Sequence, residues 1–159
     1  MTVAHGAGVE VRNVSKSFGV DGAKVTVLDD VSLTIGMGEF VSVIGPSGCG
    51  KSTLLKVVAG LLDADSGTVT IDGESVTAAS RDKKIGLVPQ SPALLPWKTV
   101  RENVELPVRI NAKANSGRAL RDPAELLSTF GLGQAMTKYP GQLSGGMQQR
   151  AAIARAFVF

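Results

Sequence analysis

The sequence lacks the features that mark secreted and membrane-spanning proteins. Its 159 residues include one cysteine, Cys49, which excludes an internal disulfide framework. No apolar run approaches the roughly 18 residues that a membrane-spanning helix needs, and the first residues lack the apolar core of a signal peptide. We therefore expect a cytoplasmic chain that reaches a membrane only through a partner.

Aromatic residues are also scarce, and neither sign of charge is in large excess. Phe, Trp and Tyr make up 4% of the residues, and 17 basic residues are mixed with 14 acidic ones, for a formal net charge of +3. No basic stripe with interleaved aromatic residues is present, so binding to nucleic acid is not expected. The single histidine, His5, lies in a Gly/Ala-rich start at residues 1–8 that we expect to be disordered, and no metal-ligand cluster accompanies it.

What the sequence does have is a glycine-rich stretch with a strict spacing. Residues 45–53 match the phosphate-binding pattern G-x-x-x-x-G-K-[ST]. Glu39–Ile44, just before it, is apolar and β-branched and predicts a buried strand, while apolar residues at helical spacing after it predict a helix that ends near Gly60. The motif requires this strand–loop–helix context. The glycine order differs from the dinucleotide fingerprint G-x-G-x-x-G, which favours a nucleoside triphosphate over NAD.

The residue types of this loop suit a polyphosphate. Successive backbone amides can point into one concavity at the positive end of the following helix, and glycines let the backbone approach the ligand closely. Lys51 should reach the β- and γ-phosphates, Ser52 should bind Mg²⁺ through its hydroxyl, and Thr53 should add a hydroxyl to a phosphate. The competing interpretation is a glycine-rich turn with a solvated lysine. The candidate nucleotide-binding residues of the loop are Gly45, Pro46, Ser47, Gly48, Cys49, Gly50, Lys51, Ser52 and Thr53.

The first half of the chain otherwise predicts mainly β-structure. Alternating apolar residues predict a strand at Val9–Val14, a second β stretch with a break over residues 25–35, and a strand at Thr68–Ile71 that leads into the hairpin-type turn Asp72-Gly73. Ile85–Val88 predicts another buried strand. We therefore predict an α/β fold in which antiparallel strands lead into a parallel core.

The second half predicts helices. Thr99 followed by Glu102 has the capping-box pattern of a helix start, and Pro107 should interrupt that helix. Residues 111–121 are polar and predict a surface link. Asp122-Pro123 then predicts the start of a further helix, with proline at its first position.

A second motif begins the last predicted helix at residues 143–150. Ser144 is a good N-cap, and Gly145 and Gly146 leave the first amides of the helix uncovered. By the same dipole argument this helix start suits a phosphate. An ordinary capped helix would explain Ser144 but not the two glycines.

The P-loop followed by Leu143-Ser144-Gly145-Gly146 resembles the ATP-binding subunits of ABC transporters, whose signature is L-S-G-G-Q; Met147 stands where that signature commonly has Gln. The resemblance extends from Val9 to Phe159. It implies an ABC ATPase domain over residues 9–159, with the P-loop NTPase fold. An antiparallel β part would lie at its N-terminus, and a helical part at about residues 99–150 would carry the signature.

The resemblance also implies roles for residues outside the two motifs. Gln90 looks like the Q-loop glutamine, which contacts Mg²⁺ and the attacking water; otherwise it is a polar residue at a strand end. Phe18 looks like the aromatic that stacks on adenine, and the alternative is a core or surface phenylalanine. Ser91–Val100 is similar to the loop of nitrate, sulfonate and taurine importer ATPases, where L-L-P-W-x-T-V recurs. That loop would receive the membrane subunit, unless Trp97 is an ordinary core residue.

In the family that the chain resembles, two ATPase subunits pair head to tail, and each ATP lies between one P-loop and the partner's signature. Ser144, Gly145 and Gly146 should then contact the partner's ATP. The resemblance further implies transmembrane permease subunits as partners and a solute-binding protein as an indirect one. We therefore expect a peripheral position at the cytoplasmic face of the cell membrane.

The family pattern continues beyond residue 159. It includes a Walker B strand with an Asp for Mg²⁺ and a Glu that activates water, followed by a switch histidine, and no residue of this sequence substitutes for them. We expect a C-terminally incomplete ATPase subunit of an importer that couples ATP binding and hydrolysis to solute uptake. The alternatives are an ATP-binding fragment that does not hydrolyse, a soluble ABC-type ATPase of DNA repair or translation, and an unrelated P-loop kinase or GTPase.

Overall fold

Strand β1 (Ala7–Val20) is an inner strand of a four-stranded antiparallel sheet in the computed structural model, which describes residues 7–20, 22–110, 115 and 119–159. It pairs with β2 (Ala23–Gly36) on one side and with β3 (Ser66–Ile71) on the other, and the short β4 (Glu74–Ser75) pairs with β3. The predicted strands at 9–14, 25–35 and 68–71 are confirmed, although β1 is longer than expected. His5 lies outside the described residues.

Two features of this sheet follow from short polar residues that tolerate a positive φ. Asp72 and Gly73 have φ values of 51° and 77° and connect β3 to β4, as the Asp-Gly pair predicts. The break expected in the second β stretch is a bulge in the β1–β2 pairing, where Asn13 and Asp30 have φ values of 48° and 51°. Asn13 Nδ2 donates a hydrogen bond of 2.8 Å to Asp30 Oδ1, which holds the bulge together.

Helix α1 (Lys51–Val58) packs against one face of this sheet. Its buried residues, Leu54 and Val57, are three positions apart and therefore lie on the same side of the helix. The helix continues the motif as predicted, and Gly60 follows its end with a φ of 69°. Helix α2 (Val76–Arg81), which the sequence analysis did not predict, begins at Ser75, whose hydroxyl accepts from the amide of Ala78. The buried core consists of Val11, Val14, Leu28, Leu54 and Val57.

Two predicted strands are wrong. Glu39–Ile44 and Ile85–Val88 have no regular secondary structure, and neither segment pairs with another strand in the described ranges. Phe40 and Ile44 are 93% and 92% exposed. An apolar, β-branched run indicates a preference for a buried strand, but a strand also needs a neighbour that accepts and donates its backbone hydrogen bonds. The parallel sheet expected from these two segments is therefore not formed, while the four antiparallel strands are.

The chain divides into two units, residues 1–85 and 86–159, and the second is helical. It contains α3 (Val100–Ile110), α4 (Pro123–Thr129) and α5 (Gly145–Ala156), with short 3₁₀ helices at Gly133–Ala135 and Pro140–Gln142. Every helix in the described part of the chain is too short or too polar to cross a lipid bilayer. The core of this unit consists of Val100, Val104, Leu126, Leu127, Leu132, Ala135, Leu143, Ala151, Ala154 and Val158.

The predicted start of α3 is confirmed, but the predicted interruption is not. The Thr99 amide donates to Glu102 Oε2 at 2.8 Å and the Glu102 amide donates to Thr99 Oγ1 at 3.3 Å, which is the capping box. Pro107 lies inside the helix, which runs on to Ile110. Proline removes one N–H and costs stability, but the burial of the residues in the first turns of α3 outweighs that cost. The polar link at 111–121 lies largely outside the described residues.

Acid should weaken the sheet through one carboxylate. Asp65 accepts a hydrogen bond from Lys16 Nζ at 2.7 Å and one from the Ser17 amide at 2.8 Å, and these contacts, the Lys16 bond first, lower the pKa of Asp65 below its usual value. Because the folded-state pKa is lowered, this stabilisation is present above the unfolded value of about 3.9 and is lost as pH falls through the folded value. The midpoint of urea unfolding, measured from pH 6 to pH 2, should therefore fall more steeply in the wild type than in Asp65→Asn. Asp63→Asn, at an exposed neighbour, should follow the wild type. Equal slopes for wild type and Asp65→Asn would contradict this role.

Candidate nucleotide-binding site

The P-loop is an exposed turn that leads directly into α1. Gly48 and Gly50 have φ values of 82° and 92°, a region that residues with a side chain rarely adopt. Gly50 is also the N-cap of α1, and a Cβ added there would lie 2.8 Å from the Val27 carbonyl oxygen and 3.1 Å from Leu28 Cδ2. The contact with β2 therefore requires glycine at this position. Glycine at 50 lets the chain turn into the helix while the loop stays against the sheet.

The start of α1 is open to a ligand. No side chain caps it, and none of its first-turn residues is acidic. The first amides of a helix have no acceptor within the helix, and they carry its partial positive charge. Ser52, in the first turn, is exposed, and Thr53 is half-buried. Open amides, a hydroxyl and the helix dipole together form a site for a phosphate group.

The Lys51 ammonium lies inside the loop that precedes it. Its Nζ donates to the carbonyl oxygens of Gly45 at 2.8 Å and Pro46 at 2.6 Å, and lies 3.6 Å from Cys49 Sγ. The Cys49 amide donates to the Pro46 carbonyl across the same turn. The structure thus brings Gly45, Pro46, Cys49 and Lys51 together. A phosphate oxygen that entered the loop would compete with these carbonyls for the ammonium.

The predicted Mg²⁺ ligands offer oxygen atoms. Ser52 has an exposed hydroxyl, and Gln90 is exposed in a loop at the start of the second unit. Hydroxyl and amide oxygens suit Mg²⁺, which usually keeps several waters and binds phosphate oxygens beside one or two protein ligands. Within the ranges that the structure describes, no group of three or more His, Cys, Asp or Glu residues could hold a metal ion by itself. Each of these two side chains offers one oxygen atom of the kind that Mg²⁺ binds.

Phe18 lies near the end of β1, paired with Val25 of β2, and is 38% exposed. The Lys16 Nζ is 5.8 Å from the centroid of its ring. The interpretation of Phe18 as a core residue is wrong. Its exposure leaves the surface interpretation and the adenine-stacking role that the family resemblance implies.

The signature residues form the exposed N-terminus of α5. Ser144 is the N-cap, and its hydroxyl accepts from the Met147 amide at 3.4 Å. A Cβ added at Gly145 or Gly146 would meet no atom within 4 Å. The packing of the described chain therefore does not require glycine at either position.

The loop after Gln90 carries an exposed tryptophan. Trp97 is 70% exposed, so the interpretation of Trp97 as a core residue is wrong. The sequence analysis missed the two residues that hold this loop, Asn103 in α3 and Arg155 in α5. The only signal for Asn103 was a polar residue on the apolar face of a predicted helix.

Comparisons with known proteins show what the whole chain is similar to. The ABC transporter family model matches residues 28–159. The spermidine/putrescine import ATP-binding protein PotA of Haemophilus influenzae is 44% identical over 151 residues, which are 94% of this chain and 39% of that protein. The sulfate/thiosulfate import ATP-binding protein CysA of Bordetella pertussis is 45% identical over 152 residues, 93% of this chain and 42% of that protein. The chain thus spans about two fifths of these two curated relatives.

Similarity extends to solved structures. The dimeric, ADP- and Pi-bound state of the ATP-binding cassette MJ0796 superposes with a TM-score of 0.80 at 37% identity, over 94% of this chain and 69% of that one. The predicted α/β fold of the P-loop type, with a β-sheet part and a helical part, is confirmed.

Proposed function

Because the chain belongs to the ABC transporter family, in its ATP-binding part, we propose that it binds Mg·ATP at the P-loop and that the whole protein is the ATP-binding subunit of an importer. The observation that carries the proposal is the start of α1, where Gly50 keeps the helix N-terminus free of a side-chain cap and Lys51 supplies the cation of the loop. An uncapped helix start, with a lysine ammonium inside the loop that precedes it, suits a triphosphate.

The proposed chemistry is positioning and charge neutralisation. Lys51 exchanges its two carbonyl acceptors for β- and γ-phosphate oxygens, while the amides of the loop and the first turn donate to the same group. Ser52 holds the cation through its hydroxyl. Gln90 orients the attacking water, and Phe18 stacks on the adenine. Mg²⁺, when bound, neutralises charge that develops on the phosphates.

The signature residues are proposed to act on a second subunit. Ser144 caps the helix, and an added Cβ at Gly145 or Gly146 would meet no described atom within 4 Å, so the surface of this helix N-terminus is open. In a head-to-tail dimer this surface would cover the partner's ATP. The dimeric structure of MJ0796 supports the proposal by analogy. Binding of ATP between two subunits would favour the closed dimer by differential affinity.

The transport role is proposed from the relatives and from one loop. Relatives are described as serving the import of spermidine and putrescine, the import of sulfate and thiosulfate, and the transport of bicarbonate. The residues Leu94-Leu95-Pro96-Trp97 favour the nitrate, sulfonate and taurine type among importers. Transmembrane permease subunits would then be the direct partners and a solute-binding protein the indirect one. The subunit would lie at the cytoplasmic face of the membrane.

Calorimetric titration with ATP, and separately with GTP, in the presence of Mg²⁺ tests the proposal. We expect saturable binding of both nucleotides, since the P-loop binds the phosphates that they share and an aromatic ring stacks on either purine. Release of inorganic phosphate in the same samples separates an ATPase from an ATP-binding module. A folded protein that binds neither nucleotide would overturn the proposed function.

A further inference from the structure

The loop at residues 91–98 of the second unit is ordered without regular secondary structure. Its most exposed large side chain, Trp97, contributes little to the core, and Ala93 has a φ of 48°, which is unusual for alanine. A loop with a positive φ and an exposed aromatic needs contacts elsewhere to keep one conformation. Two side chains from different helices supply them.

Asn103 determines the path of the second half of the loop. It lies in α3 and is 0% exposed. Its Oδ1 accepts from the Leu95 amide at 2.7 Å, and its Nδ2 lies 3.1 Å from the Leu95 carbonyl oxygen, 3.1 Å from that of Lys98 and 2.9 Å from that of Thr99. One buried amide thus satisfies the backbone on both sides of Pro96 and Trp97. Buried backbone groups require such partners.

Arg155, in α5, holds the first half of the loop. It lies in the last turn of α5, the helix whose N-terminus carries Ser144 and the two signature glycines. Its Nη1 donates to the Ala93 carbonyl at 2.8 Å and its Nη2 donates to the Pro92 carbonyl at 3.0 Å. Two donors in one planar group can reach two adjacent carbonyls, and a lysine cannot reproduce that geometry.

We propose that Arg155 is a positioning residue that ties the Trp97 loop to the signature helix, so that the loop and α5 move as one body. The hydrogen bonds are made to the backbone of the loop, so they determine where the chain runs and not which side chains it carries. Helix α5 has 12 residues and is rigid. The guanidinium group of Arg155, in its last turn, therefore transmits a displacement of the N-terminus of α5 to the loop. This inference rests on the proposed function for its consequence in transport, but not for the contact itself.

Trp97 is the only tryptophan of the chain, so its fluorescence anisotropy reports on this loop alone. Arg155→Gln removes the charged fork and should increase the fast, local component of the anisotropy decay. Arg155→Lys keeps the charge and most of the length and should change the decay in the same direction by a smaller amount. Arg101→Gln, at an exposed arginine of α3 that pairs with Glu105, is the matched control and should leave the decay unchanged.

Circular dichroism first establishes that each variant is folded. If Arg155→Gln does not fold, Arg155→Lys decides the question, because a lysine still packs along the same surface. Wild-type anisotropy in a folded Arg155 variant would overturn the proposal. This measurement uses no nucleotide and no partner, so its result does not depend on whether the proposed function is correct.

A second measurement tests the consequence in the assembled transporter. With permease subunits present, Arg155→Gln should lower kcat of the stimulated ATPase about fivefold or more, the lower end of coupling between sites, with an unchanged KM for ATP. A merely structural role would instead lower the amount of folded protein at unchanged kcat. Wild-type kcat together with a mobile Trp97 would show that the loop is tied to α5 without carrying coupling, and would overturn the consequence for transport.

Discussion

Replacement of Lys51 by alanine is expected to weaken the binding of ATP about 100-fold, because it removes the hydrogen bonds of one charged donor, each worth roughly 1.5–3 kcal/mol. It should also abolish any hydrolysis that the wild type shows. The ammonium already lies inside the loop, 2.8 Å and 2.6 Å from the carbonyl oxygens of Gly45 and Pro46. Residues 45–53 contain no other cation. Without it, the phosphates would face those carbonyl oxygens uncompensated. Titration calorimetry and phosphate release measure the two effects.

Lys56→Ala is the matched control for Lys51→Ala. Lys56 is an exposed residue in the last turn of the same helix, so its removal changes the net charge by the same amount at a distance from the loop. The ATP affinity of Lys56→Ala should stay near that of the wild type. ATP affinity of Lys51→Ala equal to that of Lys56→Ala would mean that the helix amides alone hold the nucleotide.

Replacement of Gly67 by alanine is expected to lower the free energy of unfolding by about 3 kcal/mol, the sum of overpacking and a left-handed backbone with a side chain. A Cβ at Gly67 would lie 2.3 Å from the Asn13 carbonyl oxygen and 2.4 Å from that of Arg12. These atoms belong to the backbone of β1, which pairs with β3 on either side of this point. They cannot move without loss of strand pairing. Urea unfolding followed by circular dichroism measures the change.

Gly73 separates the two causes of that loss. Its φ of 77° is close to the 84° of Gly67, but a Cβ added at Gly73 would meet nothing within 4 Å. Gly73→Ala should therefore cost about 1 kcal/mol, the backbone contribution alone. Similar unfolding midpoints for the two variants would mean that β1 and β3 separate readily enough to accept the extra carbon.

Local patterns were enough to predict much of the fold and part of the site. Alternation located β1 and β3, the Asp-Gly pair located the turn from β3 to β4, and Thr99 with Glu102 located the start of α3. Each depends on residues within a few positions of one another. The P-loop belongs to the same class, because its glycines, its lysine and its helix are consecutive in sequence.

Features that depend on distant partners could not be predicted in this way. The apolar run at 39–44 indicated a strand, but a pattern in one segment does not reveal whether a neighbouring strand is present. Arg155 contacts Pro92 and Ala93 across more than 60 residues, and nothing near residue 155 identifies those carbonyls as its acceptors. Trp97 allowed both a core and a surface interpretation, because hydrophobicity alone does not separate them.

The open space around Gly145 and Gly146 has a consequence for how this protein tolerates mutation. Most substitutions destabilise a protein, and selection removes those that reduce folding stability below the level that function needs. At these two positions an added Cβ would meet no atom within 4 Å, so selection for folding stability does not act against it. Under the proposed head-to-tail pairing, a variant chain would accumulate normally, occupy a place in a dimer and inactivate it together with a normal partner. Inactivating substitutions of Gly145 or Gly146 would then be dominant. Substitutions of Gly67, which lower the amount of folded protein, would be recessive.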